Sequence, residues 1–193
     1  MATQKDRRET TRNLIVDSAY ELFGTDGFDA TTIDAIAAQA AVAKGAVYHH
    51  FANKRAIFSA VFETTAGDLV ADLLTDIELS GDITAALIAA TERFFTLCGE
   101  ARVRRILLQD APAVLGHAEW QRLDSEHFGG LVSAALGMAM ESGAIKQRPL
   151  LPLSRVILGA MQAAALDCAA REDYAIATKE YLEVFAEILQ GLK

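Results

Sequence analysis

The scarcity of helix-breaking residues constrains this chain more than any other feature of its sequence. Only three prolines occur among 193 residues, at positions 112, 149 and 152, and alternating β-branched patterns are hardly seen. Proline interrupts a helix most strongly, and alternation of apolar and polar residues is the signature of a half-buried strand. The sequence therefore predicts a nearly all-helical protein.

Apolar residues at helical spacing divide the chain into successive helices. The first helix buries Leu14 and its neighbours and stops at the turn 24–27, and a short helix runs from Ile33 to about Gln39. A long helix capped by Asn53 is predicted to continue through Ile77 to a break at Ser80–Gly81. The later helices are predicted over about 82–98, 102–109, 119–141, 154–170 and 173–190.

Residues 42–51, VAKGAVYHHF, follow the short helix after a tight turn and predict the second helix of a helix-turn-helix. The residues spaced to form its small core are Ile36, Ala37, Ala40, Val42, Val47 and Phe51. The residues left on the outer face or at the end are Lys44, Ala46, Tyr48, His49 and His50. Gly45 removes a side chain where something bulky has to come near, and in this motif that is the major groove of DNA.

The placement of charge allows such an interface on an acidic protein. The formal net charge is −8, yet residues 1–55 hold seven Lys/Arg and seven Asp/Glu, so the remainder carries all of it. A neutral head can present local bases to phosphate while an acidic body stays off DNA. The N-terminal bases either add phosphate or minor-groove contacts or belong to a disordered polar tail: Lys5, Arg7, Arg8 and Arg12.

Two segments, TTIDAIA at 31–37 and VAKGAVYHHFANK at 42–54, resemble the signature of the TetR family of bacterial one-component regulators. The resemblance spans about residues 12–62. Together with the helix pattern it implies an all-α protein with an N-terminal three-helix helix-turn-helix head, residues 1–55. A C-terminal helical bundle for ligand binding and dimerisation would follow over residues 56–193.

Carried over position by position, the resemblance also implies DNA contacts. Thr32 and Tyr48 would bind phosphates, as would Lys54 at the start of the fourth helix, and His50 would lie near the DNA backbone. The residues that would face base edges are Lys44, Ala46 and His49. A lysine there prefers guanine, and an alanine methyl can only touch the methyl of thymine.

The sequence departs from the family pattern at two positions of the head. Ala41 stands where glycine is usual in the turn, and Ala43 stands where a serine usually caps the recognition helix. Losing such a cap costs on the order of 1 kcal/mol. An alternative function follows from these departures, a helical small-molecule-binding protein whose DNA-binding head is degenerate.

Single residues of this segment also fit other interpretations. Tyr48 could be a core aromatic and Lys44 a solvated surface charge, but the whole set falls at helix-turn-helix spacing. Adjacent histidines point in different directions on a helix, and His117 and His127 have no chelating spacing to them, so no metal site is predicted. The absence of a phosphate loop, a Gly-x-Ser-x-Gly motif or functional carboxylate pairs argues against an enzyme and its cofactors.

The second half is interpreted as the regulatory part. Helices near 154–170 and 173–190 are the candidate homodimer interface, because two heads about one helical turn apart would read a near-palindromic operator. The candidate ligand-binding residues are Phe94, Cys98, Leu108, Gln109, Trp120, His127, Phe128 and Met161, with Asp110 and Gln162 as further polar groups. The alternative for each is that it only fills the bundle core.

The resemblance implies that a small hydrophobic ligand releases the protein from DNA. Ligand binding would shift the long helix after Asn53, and the two heads would lose their spacing. An activator rather than a repressor would fit the same residues. Cys98 and Cys168 are predicted to be buried thiols rather than a disulfide. With no signal peptide and no apolar run of membrane length, the protein is predicted to be cytoplasmic.

Overall fold

A computed structural model describes residues 4–75 and 83–193, which form ten α-helices and one turn of π-helix and contain no strand. The elements are α1 (Gln4–Asp26), α2 (Ile33–Gln39), α3 (Lys44–His50), α4 (Lys54–Thr75), α5 (Ile83–Cys98), α6 (Ala101–Arg104), π1 (Arg105–Asp110), α7 (Ala111–Leu115), α8 (His117–Glu141), α9 (Leu150–Ala170) and α10 (Tyr174–Gly191). The all-α prediction is confirmed. The predicted passage through Ile77 to a break at Ser80–Gly81 lies outside the described residues.

The head is built around one face of α1. Ile15, Ala19 and Phe23, four residues apart, are fully buried because that spacing places them on a single face. The ring of Phe23 contacts Phe28 and Phe58 at centroid distances of 5.7 and 5.2 Å. The described helix begins at Gln4. One sequence prediction for α1 is wrong, since Leu14, expected on the buried face, is 47% exposed.

Helix α4 joins the head to the body. Asn53 caps its first turn, because its Oδ1 accepts a hydrogen bond from the Ala56 amide at 2.9 Å. Apolar residues on α4 are buried from Ile57 near its start to Leu73 near its end, and the helix packs on both α1 and α8. It runs through the predicted domain boundary between residues 55 and 56, which stays a prediction.

In the body, helices α5, α8, α9 and α10 pack around a second part of the core. Gly116 and Gly143 have φ angles of 76° and 77° and lie at the two ends of α8, where only glycine adopts the left-handed region without strain. Cys98 and Cys168 are both buried free thiols, as predicted. Burial raises the pKa of each.

Helix α9 is an exception to the expectation that no apolar stretch of the chain reaches membrane length. Among the described residues it is the helix that is long and apolar enough to cross a bilayer, by length and composition alone. Its buried face packs inside the bundle through residues such as Ile157, Ala164 and Cys168. The opposite face carries exposed apolar side chains, of which Val156 is 66% exposed.

Candidate nucleic-acid interface and ligand cavity

The turn between α2 and α3 departs from the glycine-containing form. Thr32 caps α2, its Oγ1 accepting from the Ala35 amide at 3.1 Å, and stays exposed. Ala41 in the turn has a φ of 53°, a left-handed conformation that is strained for a residue with a Cβ. Ala43 precedes α3 with no side-chain cap. The two departures seen in sequence therefore have structural counterparts, a strained turn and an uncapped helix.

Helix α3 is anchored by one residue and otherwise faces outward. Val47 is fully buried, and Tyr48 is 50% exposed, which excludes a core aromatic. The exposed residues of α3 are Lys44, Gly45, Tyr48 and His49, with Ala46 and His50 partly buried. A Cβ added to Gly45 would meet no atom of the protein within 4 Å. The fold itself therefore makes no demand for glycine there.

Lys44 is held by a carboxylate in the free protein. Its Nζ lies 2.8 Å from Oδ1 and 3.0 Å from Oδ2 of Asp34 on α2. The hydrogen bond to Asp34 raises the pKa of the lysine. Exposed ion pairs of this kind contribute little to stability, so Lys44 can be released to another partner.

Lys54 lies elsewhere than the expected phosphate contact suggests. Its ammonium donates to the carbonyl oxygens of Phe28 at 2.6 Å, Thr31 at 2.8 Å and Asp29 at 3.3 Å. It also lies 4.2 Å from the centre of the Phe28 ring. An ammonium has three donors, and all three are used within the head. The side chain fastens the α1–α2 turn to α4, and phosphate binding by Lys54 stays a prediction.

The first turns of α1 bring bases to the end of α3. The Arg12 guanidinium lies 5.4 Å from the centre of the Phe51 ring. Burial lowers the pKa of His50, and the neighbouring charges of His49, Arg8 and Arg12 lower it further. The bases at positions 5–12 are thus on a helix rather than in a tail, and Arg8 and Arg12 are close to the His50 end of α3.

The body contains a cavity of about 100 Å³ enclosed by α4, α5, π1, α8, α9 and α10. Its walls are nearly all apolar. Five of the eight predicted ligand-binding residues line it: Phe94, Leu108, Trp120, Phe128 and Met161. Gln162, expected as a further polar group, also lines it. The side chain of Leu73, near the end of α4, reaches the same space.

Four other predicted side chains are not among the described residues that line the cavity. Cys98 is buried and His127 on α8 is partly buried, and both interact electrostatically with Asp124, which lines the cavity. Gln109 is exposed and donates to the Ala169 carbonyl at 3.2 Å. Asp110 accepts a hydrogen bond from the Phe28 amide at 3.0 Å. Gln109 and Asp110 belong to π1, whose wider turn changes the faces that a regular helix would present.

Sequence reasoning missed Asp124, the buried carboxyl of the cavity. It accepts a short hydrogen bond from Nε2 of Gln162. Burial raises its pKa to about 6, against the opposing effects of Gln162 and His127. The available signal was spacing, because Trp120, Asp124 and Phe128 are four residues apart and share one helix face.

The segment from α6 to α7 connects this cavity to the head. On the cavity side, the Trp120 indole donates to the Leu107 carbonyl at 3.0 Å. On the head side, Arg105 donates to the Thr25 carbonyl and Asp110 accepts from Phe28. Arg102 pairs with Glu21 at 2.8 Å. One short stretch of chain therefore touches both the cavity wall and the α1–α2 turn.

No cluster of three or more His, Cys, Asp or Glu side chains suited to a metal ion occurs in the part of the chain that the structure describes. The His49 and His50 rings meet edge to face, with centroids 5.4 Å apart.

Comparison with known proteins places both halves of the chain. Residues 15–61 match the bacterial regulatory proteins of the tetR family, and residues 84–192 match the tetracyclin repressor-like C-terminal domain. The Tn10 transposon TetC protein of Escherichia coli is 25% identical over 190 residues, covering 98% of this chain and 96% of that protein.

Two solved structures have the same overall fold. A TetR-family transcriptional regulator from Pectobacterium atrosepticum superposes with a TM-score of 0.87 at 25% identity, covering 99% of this chain and 97% of its own. RolR in complex with resorcinol superposes with a TM-score of 0.74 at 18% identity, covering 94% and 90%. At that identity the second comparison shows the fold alone.

Proposed function

The chain belongs to the tetR family of bacterial regulatory proteins and is a DNA-binding transcriptional regulator, and we propose that it is a repressor released from its operator by a small apolar ligand. The family is one of transcriptional regulators rather than enzymes. The observation that carries the DNA-binding part of the proposal is Gly45, a residue on the exposed face of α3 that the fold does not require. The ligand part rests on the apolar cavity of the body.

In the proposed complex, α3 lies in the major groove with Lys44, Ala46 and His49 toward base edges. Tyr48 and Thr32, both exposed, bind phosphates, and His50 with Arg8 and Arg12 follows the backbone at the end of α3. Phosphate contacts set register and affinity, and base contacts set sequence preference. Lys54 acts by holding the turn from which Thr32 projects, because its donors bind the carbonyls of Phe28, Asp29 and Thr31.

The active form in this proposal is a homodimer that binds a near-palindromic operator. Exposed apolar residues on the outer faces of α9 and α10 supply the contact surface: Leu151, Val156, Ile176, Val184 and Ile188. Pairing two helices from each copy forms a four-helix interface. Such an interface also accounts for the apolar character of α9 without a membrane, and we place the protein in the cytoplasm.

Release from DNA is proposed to follow because the segment from α6 to α7 contacts both the cavity and the head. A ligand in the cavity pushes on Leu108 and Trp120, and π1 carries the displacement to its contacts with Thr25 and Phe28. Helix α4 offers a second connection, because Leu73 lines the cavity and Lys54 holds the head. The ligand must bind the DNA-incompetent state more tightly, and the coupling is reciprocal.

The nature of the cavity supports a small, mostly apolar ligand. Apolar walls with a few polar groups are typical of small-molecule sites. RolR, a fold relative, binds resorcinol, a small aromatic molecule with two hydroxyl groups. A ligand of similar size with a hydrogen-bond donor would match the aromatic walls and the Asp124 carboxyl here.

The test is fluorescence anisotropy of the purified protein on DNA from beside its own gene, across a salt series. We expect sequence-selective binding with a steep negative slope of log affinity against log salt. Tyr48→Phe and Lys44→Ala should weaken binding without unfolding the protein, whereas Lys146→Ala, at an exposed lysine of the body, should not. Absent binding at every salt would favour the degenerate-head alternative, and unchanged affinity in both variants would contradict the placement of α3.

A further inference from the structure

Asp124 is a carboxylate in the middle of an apolar wall. It is 9% exposed and lines the cavity between Trp120 and Phe128 on the same face of α8. In the described part of the chain its one hydrogen bond comes from Gln162 on α9. None of the ion pairs found among the described residues includes Asp124.

A buried carboxylate ordinarily has a cation or several donors to offset its lost hydration. The titratable groups that face Asp124 are His127 on its own helix and the Cys98 thiol on α5. Neither is a permanent cation, and Gln162 supplies a neutral amide. The cavity therefore holds a negative charge, above the carboxyl pKa of about 6, that the protein itself compensates only in part.

We propose that the cavity selects an apolar ligand bearing a protonated amine, whose ammonium pairs with the Asp124 carboxylate. Gln162 assists, because the amide that donates to Asp124 through Nε2 keeps a carbonyl oxygen able to accept from the same ammonium. The apolar part of the ligand packs on Phe94, Leu108 and Phe128. The ammonium supplies the missing positive charge in a site of low dielectric constant, where such a pairing is strong.

This inference rests on the proposed function only in treating the occupant of the cavity as the releasing ligand. The site itself, a carboxylate in an apolar cavity, is independent of DNA binding. A neutral donor such as an alcohol could also hydrogen-bond to Asp124, but it would leave the charge uncompensated. The two kinds of ligand can therefore be separated by binding measurements on matched molecules.

The probes are two matched triples, phenethylamine with phenethyl alcohol and ethylbenzene, and phenylbutylamine with phenylbutanol and butylbenzene. Binding is followed by the fluorescence of Trp120, which lines the cavity and is the one tryptophan of the chain. In at least one triple we expect the amine to bind about tenfold or more tightly than its alcohol at neutral pH, which corresponds to about 1.4 kcal/mol.

Asp124→Asn should abolish the preference for the amine while the hydrocarbon binds as before. Glu141→Gln, at an exposed carboxylate near the end of the same helix, should retain it. Gln162→Met is the second variant, and it tests the site if Asp124→Asn does not fold. We expect it to weaken amine binding while the amine still binds more tightly than the alcohol. Lowering the pH through about 6 should weaken the amine, because Asp124 takes up a proton, and leave the hydrocarbon unaffected.

Equal binding of amine and alcohol, a preference that survives Asp124→Asn, or no binding by either amine would overturn the inference. Operator binding is measured separately without any probe. Operator binding together with no amine preference would overturn this inference alone. An amine preference together with no operator binding would overturn the proposed function alone.

Discussion

At the scale of single residues, Gly45 is a glycine that the packing of the protein does not require. A helical glycine costs up to about 1 kcal/mol relative to alanine. Its absent Cβ would meet nothing within 4 Å, so no contact within the protein offsets that cost. In the proposed complex, the close approach of DNA accounts for a glycine at this position.

Gly45→Ala is therefore expected to raise the free energy of unfolding by up to about 1 kcal/mol and to weaken operator binding. Gly130→Ala is the matched control, because Gly130 is also exposed on a helix, α8, with nothing within 4 Å of an added Cβ. The control should gain stability and keep its affinity. Urea denaturation and fluorescence anisotropy measure the two quantities, and unchanged DNA affinity in Gly45→Ala would contradict the proposed approach.

Ala41 is the opposite case, a residue with a Cβ at a position whose backbone conformation favours glycine. Its φ of 53° is left-handed, and this conformation costs a residue with a Cβ roughly 1–2 kcal/mol. Ala41→Gly should relieve the strain and raise the free energy of unfolding by roughly 1 kcal/mol after glycine's larger backbone entropy is counted. Ala38→Gly, in the exposed part of α2, should be destabilising, and a loss of stability in both variants would show that the turn is not strained.

The buried Asp124 carboxyl should make the protein less stable as pH rises from about 4 to 7. Its pKa is raised in the folded protein to about 6, so its stabilising contribution is present below the unfolded pKa and is lost as pH rises through about 6. The difference in unfolding free energy between the wild type and Asp124→Asn should fall by up to about 3 kcal/mol between pH of about 4 and 7. Urea denaturation across this range measures it, and a flat difference would mean that the carboxyl is not buried in the protein.

At the scale of elements, the α1–α2 turn is held from two sides. Lys54 of α4 binds three of its carbonyls, and Asp110 of π1 binds the Phe28 amide. Gly24 at the end of α1 packs so closely on Arg102 that an added Cβ would lie 2.8 Å from that side chain. The orientation of α2, and hence of α3, depends on elements distant in sequence.

Lys54→Met distinguishes a positioning role from a phosphate contact. Because the ammonium binds carbonyls inside the head, we expect the variant to lose about 1–3 kcal/mol of stability and some DNA affinity, with an unchanged salt slope. Loss of a phosphate contact instead lowers the magnitude of that slope by about one. Lys44→Ala provides the comparison in the same salt series, and a reduced slope for Lys54→Met with unchanged stability would restore the phosphate role.

At the scale of the whole molecule, the proposed function requires a second copy of the chain. One head makes few phosphate contacts, and two heads held about one helical turn of DNA apart read a site of useful length. The outer faces of α9 and α10 expose Val156, Ile176 and Val184. Exposed apolar patches of this kind are typical of interaction sites, which is why we propose these two helices as the dimer interface.

Val156→Glu combined with Ile176→Glu is expected to shift the protein from dimer to monomer and to weaken operator binding at least tenfold, since a buried charge opposes association. Leu74→Glu is the control, because Leu74 is equally exposed but lies on α4. Analytical ultracentrifugation gives the oligomeric state. A dimer that persists in the double variant would move the interface away from these two helices.

The helices of the head could be predicted from the amino-acid sequence alone. Caps such as Thr32 and Asn53, the buried spacing of Ile36 and Val47 and the exposure of Lys44 and Tyr48 follow from residues close together in the chain. Hydrogen bonds from residue i to i+4 and one-sided burial are local effects. A local pattern is enough to predict them, and the resemblance to the family rests on the same segments.

The directions of the polar side chains in the body and around the α1–α2 turn could not be predicted, because they depend on contacts between distant parts of the chain. Gln109 and Asp110 were expected at the cavity, but π1 turns them toward α9 and the head. The three carbonyls to which Lys54 donates belong to a turn more than twenty residues earlier in the chain. Asp124 became a cavity residue because six elements from distant parts of the chain meet around it. Long-range packing sets such partners. The four-residue spacing of Trp120, Asp124 and Phe128 places them on one face of α8, but it does not determine which elements that face meets.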